Sequence, residues 1–147
     1  MKREIIGMKG EDWSRIIIER LGLEGKLAPA DFVAGWERFL ESVYPEMELT
    51  RGADALTAAL AARGVPQAIA TSSSATAVAK KRLPHGPLFG RMRHVVTGNE
   101  VSRGKPHPDI FSLAAERLGV EASRCVAFED APSGVAVGKL TEARARV

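Results

Sequence analysis

From about residue 50 onward, short apolar segments alternate with segments of helical periodicity, and this alternation constrains the fold more than any other feature. The apolar segments are candidate buried strands at residues 65–70, 94–97 and 124–128. Helical patterns cover residues 53–63, 74–83 and 108–118. Short apolar strands separated by helices are typical of a parallel α/β sheet. Ligands bind at the carboxyl ends of the strands in such sheets, so the residues that directly follow each strand are the candidate functional residues.

Residues 1–48 differ from the rest of the chain, because they predict helices with no strand between them. The apolar residues of segments 11–21 and 30–43 each fall on one helical face. Both tryptophans, Trp13 and Trp36, lie in these two segments. We interpret them as core anchors of a small helical bundle.

Length and composition limit the class of protein. A chain of 147 residues accommodates one domain, or one domain with a small appended piece. A hydrophobic content of 45% and a charged content of 27% are ordinary for a soluble globular protein and argue against disorder. The single cysteine, Cys125, excludes an internal disulfide framework and a cysteine-rich zinc site, and it fits a reducing, cytoplasmic location. No run of about 18 apolar residues predicts a membrane-spanning helix.

The first candidate strand is followed by Thr71-Ser72-Ser73-Ser74, directly before a helical pattern. Hydroxyl groups and free amides at a helix N-terminus suit an anion, because those amides lack partners within the helix. One interpretation is therefore a phosphate-binding loop. The alternative is an ordinary helix N-cap, since Ser and Thr are favoured at caps in any helix.

The second candidate strand is followed by a loop that contains Gly104-Lys105-Pro106-His107-Pro108-Asp109. The two prolines restrict the backbone after Lys105, which places this lysine well for neutralising a phosphate. The alternative is a turn with a solvated lysine. His107 is a poor metal candidate, because no second His or Cys lies at a suitable spacing.

The third candidate strand ends in Glu129-Asp130-Ala131-Pro132-Ser133-Gly134. Two adjacent carboxylates favour a hard cation such as Mg²⁺, which prefers oxygen ligands. The alternative is an aspartate N-cap. Hydroxyl groups, a lysine and a carboxylate pair at one sheet edge are the parts that phosphoryl transfer requires, apart from an attacking group.

These segments, in this order and spacing, resemble the second, third and fourth motifs of the haloacid dehalogenase superfamily of phosphohydrolases. The resemblance rests on Ala70-Thr71-Ser72-Ser73, on the segment from Gly104 to Phe111, and on the segment from Phe128 to Val135. The last two segments most resemble the subgroup that contains pseudouridine-5′-phosphatase, with β-phosphoglucomutase a more distant relative. The resemblance implies an α/β fold with an incomplete Rossmann-like parallel sheet core and a partial helical cap.

The resemblance also implies roles for individual residues. Thr71 would bind phosphate with the help of Ser72, and Lys105 would neutralise the charge of the phosphate. Asp130, with Glu129 beside it, would hold Mg²⁺. Lys9 resembles a cap residue that contacts substrate. The implied activity is Mg²⁺-dependent hydrolysis of a small sugar- or nucleoside-phosphate.

The chain departs from the family pattern at its ends. The family's first motif is a strand ending in Asp-x-Asp, which supplies the nucleophile and the general acid/base, and no such pair occurs in these 147 residues. We expect residues 1–48 to be part of the cap, and residues 49–147 to be a core that lacks an N-terminal and a C-terminal strand. We therefore expect this chain to be catalytically incompetent and marginally stable. The alternative is a non-catalytic phosphate-binding or regulatory protein.

A third interpretation is a basic interaction module, because seven basic residues are close together in sequence. A solvated helix face explains them more simply, and no aromatic platform for bases accompanies them. We expect a small phosphorylated metabolite as partner, no nucleic acid, no membrane and a monomer. The seven residues are Lys80, Lys81, Arg82, His85, Arg91, Arg93 and His94.

Overall fold

The alternation of strands and helices is present in a computed structural model, which describes residues 2–140 and 144–146, with side chains over 4–137. The helices are α1 (Lys2–Ile5), α2 (Gly10–Arg20), α3 (Pro29–Glu41), α4 (Ala53–Ala62), α5 (Ala75–Arg82), α6 (Gly86–Gly90), α7 (Asp109–Leu118) and α8 (Pro132–Leu140). The strands are β1 (Ala68–Ala70), β2 (His94–Val96), β3 (Val126–Phe128) and β4 (Arg144–Arg146). Short 3₁₀ helices cover Tyr44–Glu46, Gly98–Glu100 and Ala122–Arg124. The fold is therefore α/β, as the sequence predicts.

Strands β1 and β2 form a parallel pair in which Ala68, Ile69 and Ala70 lie opposite His94, Val95 and Val96. Helix α7 packs against both strands. Val96, Ile110 and Ala114 are buried where the helix meets the strands. Helix α7 ends at Leu118, and its C-cap residue Gly119 has a φ of 68°, a conformation that side-chain-bearing residues rarely adopt.

Strand β3 pairs in parallel with β4, so the described strands form two separate two-stranded sheets. The expectation that the chain lacks a strand after the last helix is wrong, because Arg144–Arg146 forms β4. The segment Arg-Ala-Arg has none of the apolar character of a buried strand. Its backbone groups nevertheless pair with the free edge of β3, and strand pairing requires backbone groups rather than a particular side chain.

Helices α2 and α3 pack against each other through their aromatic residues. Trp13 contacts Phe32 and Trp36 in edge-to-face geometry, with ring centroids 5.6 and 6.4 Å apart. Trp36 is 45% exposed, and α3 contains no fully buried residue. The interpretation of the tryptophans as core anchors is therefore wrong. Helical periodicity identified the shared face correctly, but this face lines a cavity instead of a closed core.

Candidate functional site

A cavity of about 680 Å³ lies between the N-terminal helices and the carboxyl ends of the strands. Five of the six residues singled out in the sequence line it, and Asp130 does not. Its carboxylate is exposed to solvent. The five lining residues are Lys9, Thr71, Ser72, Lys105 and Glu129.

The 71–74 loop lies where β1 ends and α5 begins. The amide of Thr71 donates to Val96 O at 2.9 Å, which ties the start of the loop to β2. The Thr71 hydroxyl accepts from the Ser73 amide at 3.2 Å. The Ser74 hydroxyl accepts from the Ala77 amide at 3.2 Å, so Ser74 is the N-cap of α5. The cap interpretation therefore holds for Ser74, and it leaves Thr71 and Ser72 facing the cavity.

Each serine of the loop contacts a different part of the molecule. The Ser72 hydroxyl donates to Gly7 O at 2.6 Å. The Ser73 hydroxyl accepts from Lys81 Nζ at 2.9 Å, and the Ser74 hydroxyl donates to the Glu37 carboxylate at 3.0 Å. The loop is therefore connected to the N-terminal helices at two points and to α5 at a third.

Gly98 lies against the loop from the side of β2. Its amide donates to Ser73 O at 2.9 Å. A Cβ atom at this position would lie 2.4 Å from Ser72 O, which is closer than Cβ atoms come to other heavy atoms in proteins. The close approach of the two backbones therefore requires glycine at residue 98.

Glu100 holds the turn that carries Gly98. Its Oε1 accepts from the Thr97 amide at 2.7 Å, and its Oε2 lies 2.5 Å from Arg117 Nη2. The hydrogen bond from the Thr97 backbone, followed by that from Arg117, holds the pKa of the Glu100 carboxyl below its ordinary value. Such a group stabilises the fold above its unfolded-state pKa, and this contribution is lost as the pH falls through the folded-state pKa.

We therefore expect Glu100 to make the stability of the protein more sensitive to acid. Between about pH 6 and about pH 3, the free energy of unfolding of the wild type should fall further than that of Glu100→Gln. Urea denaturation at a series of pH values measures both proteins. Equal losses in the two proteins would show that Glu100 does not carry this pH dependence.

Lys105 and Glu129 form a buried ion pair at the inner end of the cavity. Lys105 Nζ lies 2.5 Å from Glu129 Oε2, and only 6% and 10% of the two side chains are exposed. The ammonium group also lies 3.4 Å from Ala70 O and 4.8 Å from the centre of the Phe111 ring. Removing two charges from water is costly unless each is compensated, and here each charge compensates the other. This contact joins the end of β1, the 104–109 loop and the end of β3.

Gly134 lies in α8, and because it has no side chain the Glu129 carboxylate can lie against this helix. A Cβ atom at residue 134 would lie 2.1 Å from Glu129 Oε2. The other carboxylate oxygen, Oε1, accepts from the Ala131 amide at 2.9 Å. Both oxygens of Glu129 are therefore engaged by protein groups, whereas the Asp130 carboxylate is exposed. Among the residues with described side chains, no three His, Cys, Asp or Glu residues come together as a metal cluster.

Lys9 reaches the cavity from the start of α2. Its Nζ donates to Val101 O at 2.8 Å. Its side chain lies against Gly104, where a Cβ atom would come within 2.5 Å of Lys9 Cγ. The ammonium group has three donors, and this hydrogen bond uses one of them. Lys9 therefore lies in the cavity wall against Gly104, the residue that precedes Lys105.

The cavity also has lining residues that no sequence motif assigned to a site. Val33, Trp36, Glu37, Leu40 and Tyr44 follow one another at helical spacing from α3 into the 3₁₀ helix, and all five line the cavity. Their spacing predicted a shared face, but only the fold shows what this face meets. Lys81 also lines the cavity, and burial lowers the pKa of its ammonium group.

Comparisons with known proteins agree with this arrangement. A family model described as haloacid dehalogenase-like hydrolase matches residues 3–140. The chain belongs to this family. It is similar to (DL)-glycerol-3-phosphatase 2 of Arabidopsis thaliana, with 37% identity over 144 residues, 95% of this chain and 60% of the relative. It is also similar to a Drosophila melanogaster protein described as "Probable pseudouridine-5′-phosphatase", with 36% identity over 140 residues, 92% of this chain and 60% of that protein.

The fold of this haloacid dehalogenase-like chain is also found in solved structures. The crystal structure of β-phosphoglucomutase from Clostridium difficile matches it with a TM-score of 0.83 at 16% identity, over 97% of this chain and 66% of that protein. At this identity the match shows the fold alone. The chain spans 60% of the length of each of the two relatives named above.

Several members of the basic cluster of this haloacid dehalogenase-like chain are engaged within the protein. Lys80 pairs with Glu41, and Arg91 pairs with Asp54 and donates to the Thr57 hydroxyl. Lys81 contacts Ser73. The two ion pairs neutralise charge on the surface that a basic interaction module would need. None of the helices in the described part of the chain combines the length and the apolar character needed to cross a membrane.

Proposed function

We propose that this chain supplies the phosphate-recognition part of a Mg²⁺-dependent phosphomonoester hydrolase that acts on a small sugar- or nucleoside-phosphate. The observation that supports this proposal is that one cavity is lined by Thr71, Ser72, Lys105 and Glu129 at the strand ends, and also by Lys9. Family membership supports the reaction class, and the relatives at 37% and 36% identity carry the names of phosphatases.

In this proposal the Thr71 hydroxyl and the Ser72 amide bind the phosphate oxygens. Both belong to a loop that is fixed by β2 and by the N-cap of α5, so the donors are oriented before the ligand arrives. Lys105 neutralises the charge of the phosphate from a buried position. Lys9 contacts the substrate from the part of the cavity wall beside Gly104.

Mg²⁺ fits the carboxylate oxygens of Glu129 and Asp130 by their chemistry. The ion commonly binds one or two carboxylates together with water and substrate phosphate, so two adjacent acids suffice as its protein ligands. Asp130 is exposed and available, whereas Glu129 would have to release Lys105 in part. When bound, the ion supplies further neutralisation of phosphate charge.

A second candidate function is phosphate binding without turnover. Covalent phosphoryl transfer needs an attacking group, and the chain contains no Asp-x-Asp pair. Lys105 is already neutralised by Glu129. These two observations favour a binding role for the chain of 147 residues taken by itself.

A chimera separates the two functions. A strand that ends in the family's first motif, Asp-x-Asp, would be fused before this chain. We expect the folded chimera to release phosphate from glycerol 3-phosphate or a nucleoside monophosphate in the presence of MgCl₂, and to stop when EDTA is added.

The matched control is the same chimera with Lys105→Ala, which we expect to reduce the rate of phosphate release by about 100-fold. Calorimetric titration of the unmodified chain with inorganic phosphate tests the second function. A folded chimera that neither binds Mg²⁺ nor releases phosphate would contradict the hydrolase proposal. Phosphate binding by the unmodified chain in that case would leave the binding function standing.

A further inference from the structure

We infer that the substrate carries a planar, unsaturated ring with a polar edge, such as the nucleobase of a nucleoside monophosphate, and that Trp13 and Trp36 bind this ring. The inference rests on the proposed function, because it places a phosphorylated substrate in the same cavity. It goes further by selecting between the two substrate classes, sugar-phosphate and nucleoside-phosphate, that the proposed function leaves open.

The geometry of the two indoles supports the assignment. Their centroids are 6.4 Å apart and their planes meet at 75°, so the two rings form a corner. Both residues line the cavity, and Trp36 keeps 45% of its surface exposed. A planar ring placed in this corner can lie face-on to one indole and edge-on to the other, which are the two arrangements that aromatic pairs prefer.

The indoles are supported from behind by two residues that do not line the cavity. Phe32 contacts Trp13 edge-to-face at 5.6 Å, and Phe39 lies against Trp36 at 5.5 Å with an interplanar angle of 31°. Phe32 restricts Trp13 before a ligand arrives, whereas Phe39 is 60% exposed and adds apolar surface beside Trp36. A rigid aromatic surface loses little conformational entropy on binding.

The chemistry of the surrounding wall favours a ring over an open polyol. Val33 and Leu40 complete the wall on either side of Trp36 and carry no hydrogen-bonding side chain. Polyol hydroxyls placed against these residues would lose their hydrogen bonds to water without replacement, which is costly. Glu37, which also lines the cavity, uses one oxygen for the Ser74 hydroxyl. A carboxylate accepts several hydrogen bonds, so Glu37 retains capacity for an N–H at the edge of a ring.

The size of the cavity agrees with this substrate class. A volume of about 680 Å³ lies within the range of roughly 300–1,000 Å³ typical of small-molecule sites. One end of the cavity is formed by the 71–74 loop and Lys105, and the N-terminal helices form the other. A ligand with a phosphate at one end and a ring at the other would fill both.

Three probes test the inference in calorimetric titrations of the unmodified chain with Mg²⁺ present: uridine 5′-monophosphate, ribose 5-phosphate and uridine. Stacking of a base on an aromatic side chain contributes about 1–3 kcal/mol. We therefore expect uridine 5′-monophosphate to bind at least about tenfold more tightly than ribose 5-phosphate. Trp36→Ala should remove this preference and leave the affinity for ribose 5-phosphate unchanged, whereas Trp36→Phe should retain most of it.

Leu83→Ala is the control, because it removes an exposed apolar side chain outside the cavity, and it should keep the preference. A second measurement needs no variant. Trp13 and Trp36 are the only tryptophans of the chain, so quenching of tryptophan fluorescence reports directly on the corner. We expect uridine 5′-monophosphate to quench it and ribose 5-phosphate to leave it unchanged.

The outcomes separate this inference from the proposed function. Equal affinities for the two phosphates, with no quenching by either, would overturn the ring-binding role and leave the phosphate site standing. Trp36-dependent binding of uridine, without binding of either phosphate, would retain the ring-binding role and contradict the proposed phosphate site. Failure of all three probes to bind would contradict both.

Discussion

Replacing Lys105 with methionine is expected to lower the free energy of unfolding by about 3 kcal/mol, because it leaves the Glu129 carboxylate buried without its partner. Only 10% of the Glu129 side chain is exposed, so water can compensate little of the lost contact. Urea denaturation followed by circular dichroism measures the change. The same variant should lose affinity for inorganic phosphate if Lys105 neutralises the bound anion.

Two controls show whether the effect comes from burial. The double variant Lys105→Met with Glu129→Gln removes both charges and should recover much of the lost stability. Arg103→Met breaks the pair between Arg103 and Asp109, in which 61% of the arginine side chain is exposed, and should have a far smaller effect. If Lys105→Met were no more destabilising than Arg103→Met, the buried pair would not contribute as described.

Replacing Ile110 with alanine is expected to cost about 3 kcal/mol of stability. Ile110 is 1% exposed and packs with Val96 and Ala114 where α7 covers β1 and β2. Truncation to alanine removes buried methyl groups and leaves a cavity, and such changes cost about 2–5 kcal/mol. The described core is small, so the remaining residues have few ways to fill the space. Thermal and urea denaturation measure the loss.

Leu83→Ala is the matched control for Ile110→Ala. Leu83 is 84% exposed, and we expect its truncation to change the free energy of unfolding by no more than about 0.5 kcal/mol. Similar losses in the two variants would mean that α7 does not pack on β1 and β2 in solution as it does here.

The sequence predicted the parts of the fold that depend on local patterns. The apolar segments 65–70, 94–97 and 124–128 contain β1, β2 and β3, although each observed strand has only three residues. The strands are shorter because pairing requires a partner, and β1 is hydrogen-bonded only where β2 runs beside it. Helix α7 ends at Leu118, before Gly119, as its amphipathic pattern predicted.

The sequence could not predict contacts that join distant segments. The strand pattern predicted that Lys105 and Glu129 lie at one sheet edge, but not that they form an ion pair. Nothing in the local pattern shows that Ser74 meets Glu37, because the two residues are 37 positions apart. The strand Arg144–Arg146 was missed because two of its three residues are arginines and only the free edge of β3 explains it. The aromatic face of α3 was recognised, but whether it meets a core or a cavity depends on the packing of the whole chain.

The three consecutive serines of the 71–74 loop have a thermodynamic consequence. The Ser72 hydroxyl donates to the carbonyl of Gly7, and the Ser74 hydroxyl donates to Glu37 on α3. Hydrogen bonds therefore connect the loop to the N-terminal helices. A ligand that takes over either hydroxyl weakens the attachment of those helices. Linkage is reciprocal, so a displacement of the helices changes the affinity of the loop for its ligand by the same factor. For a ligand that displaces either hydroxyl, binding and the attachment of the helices are one coupled equilibrium.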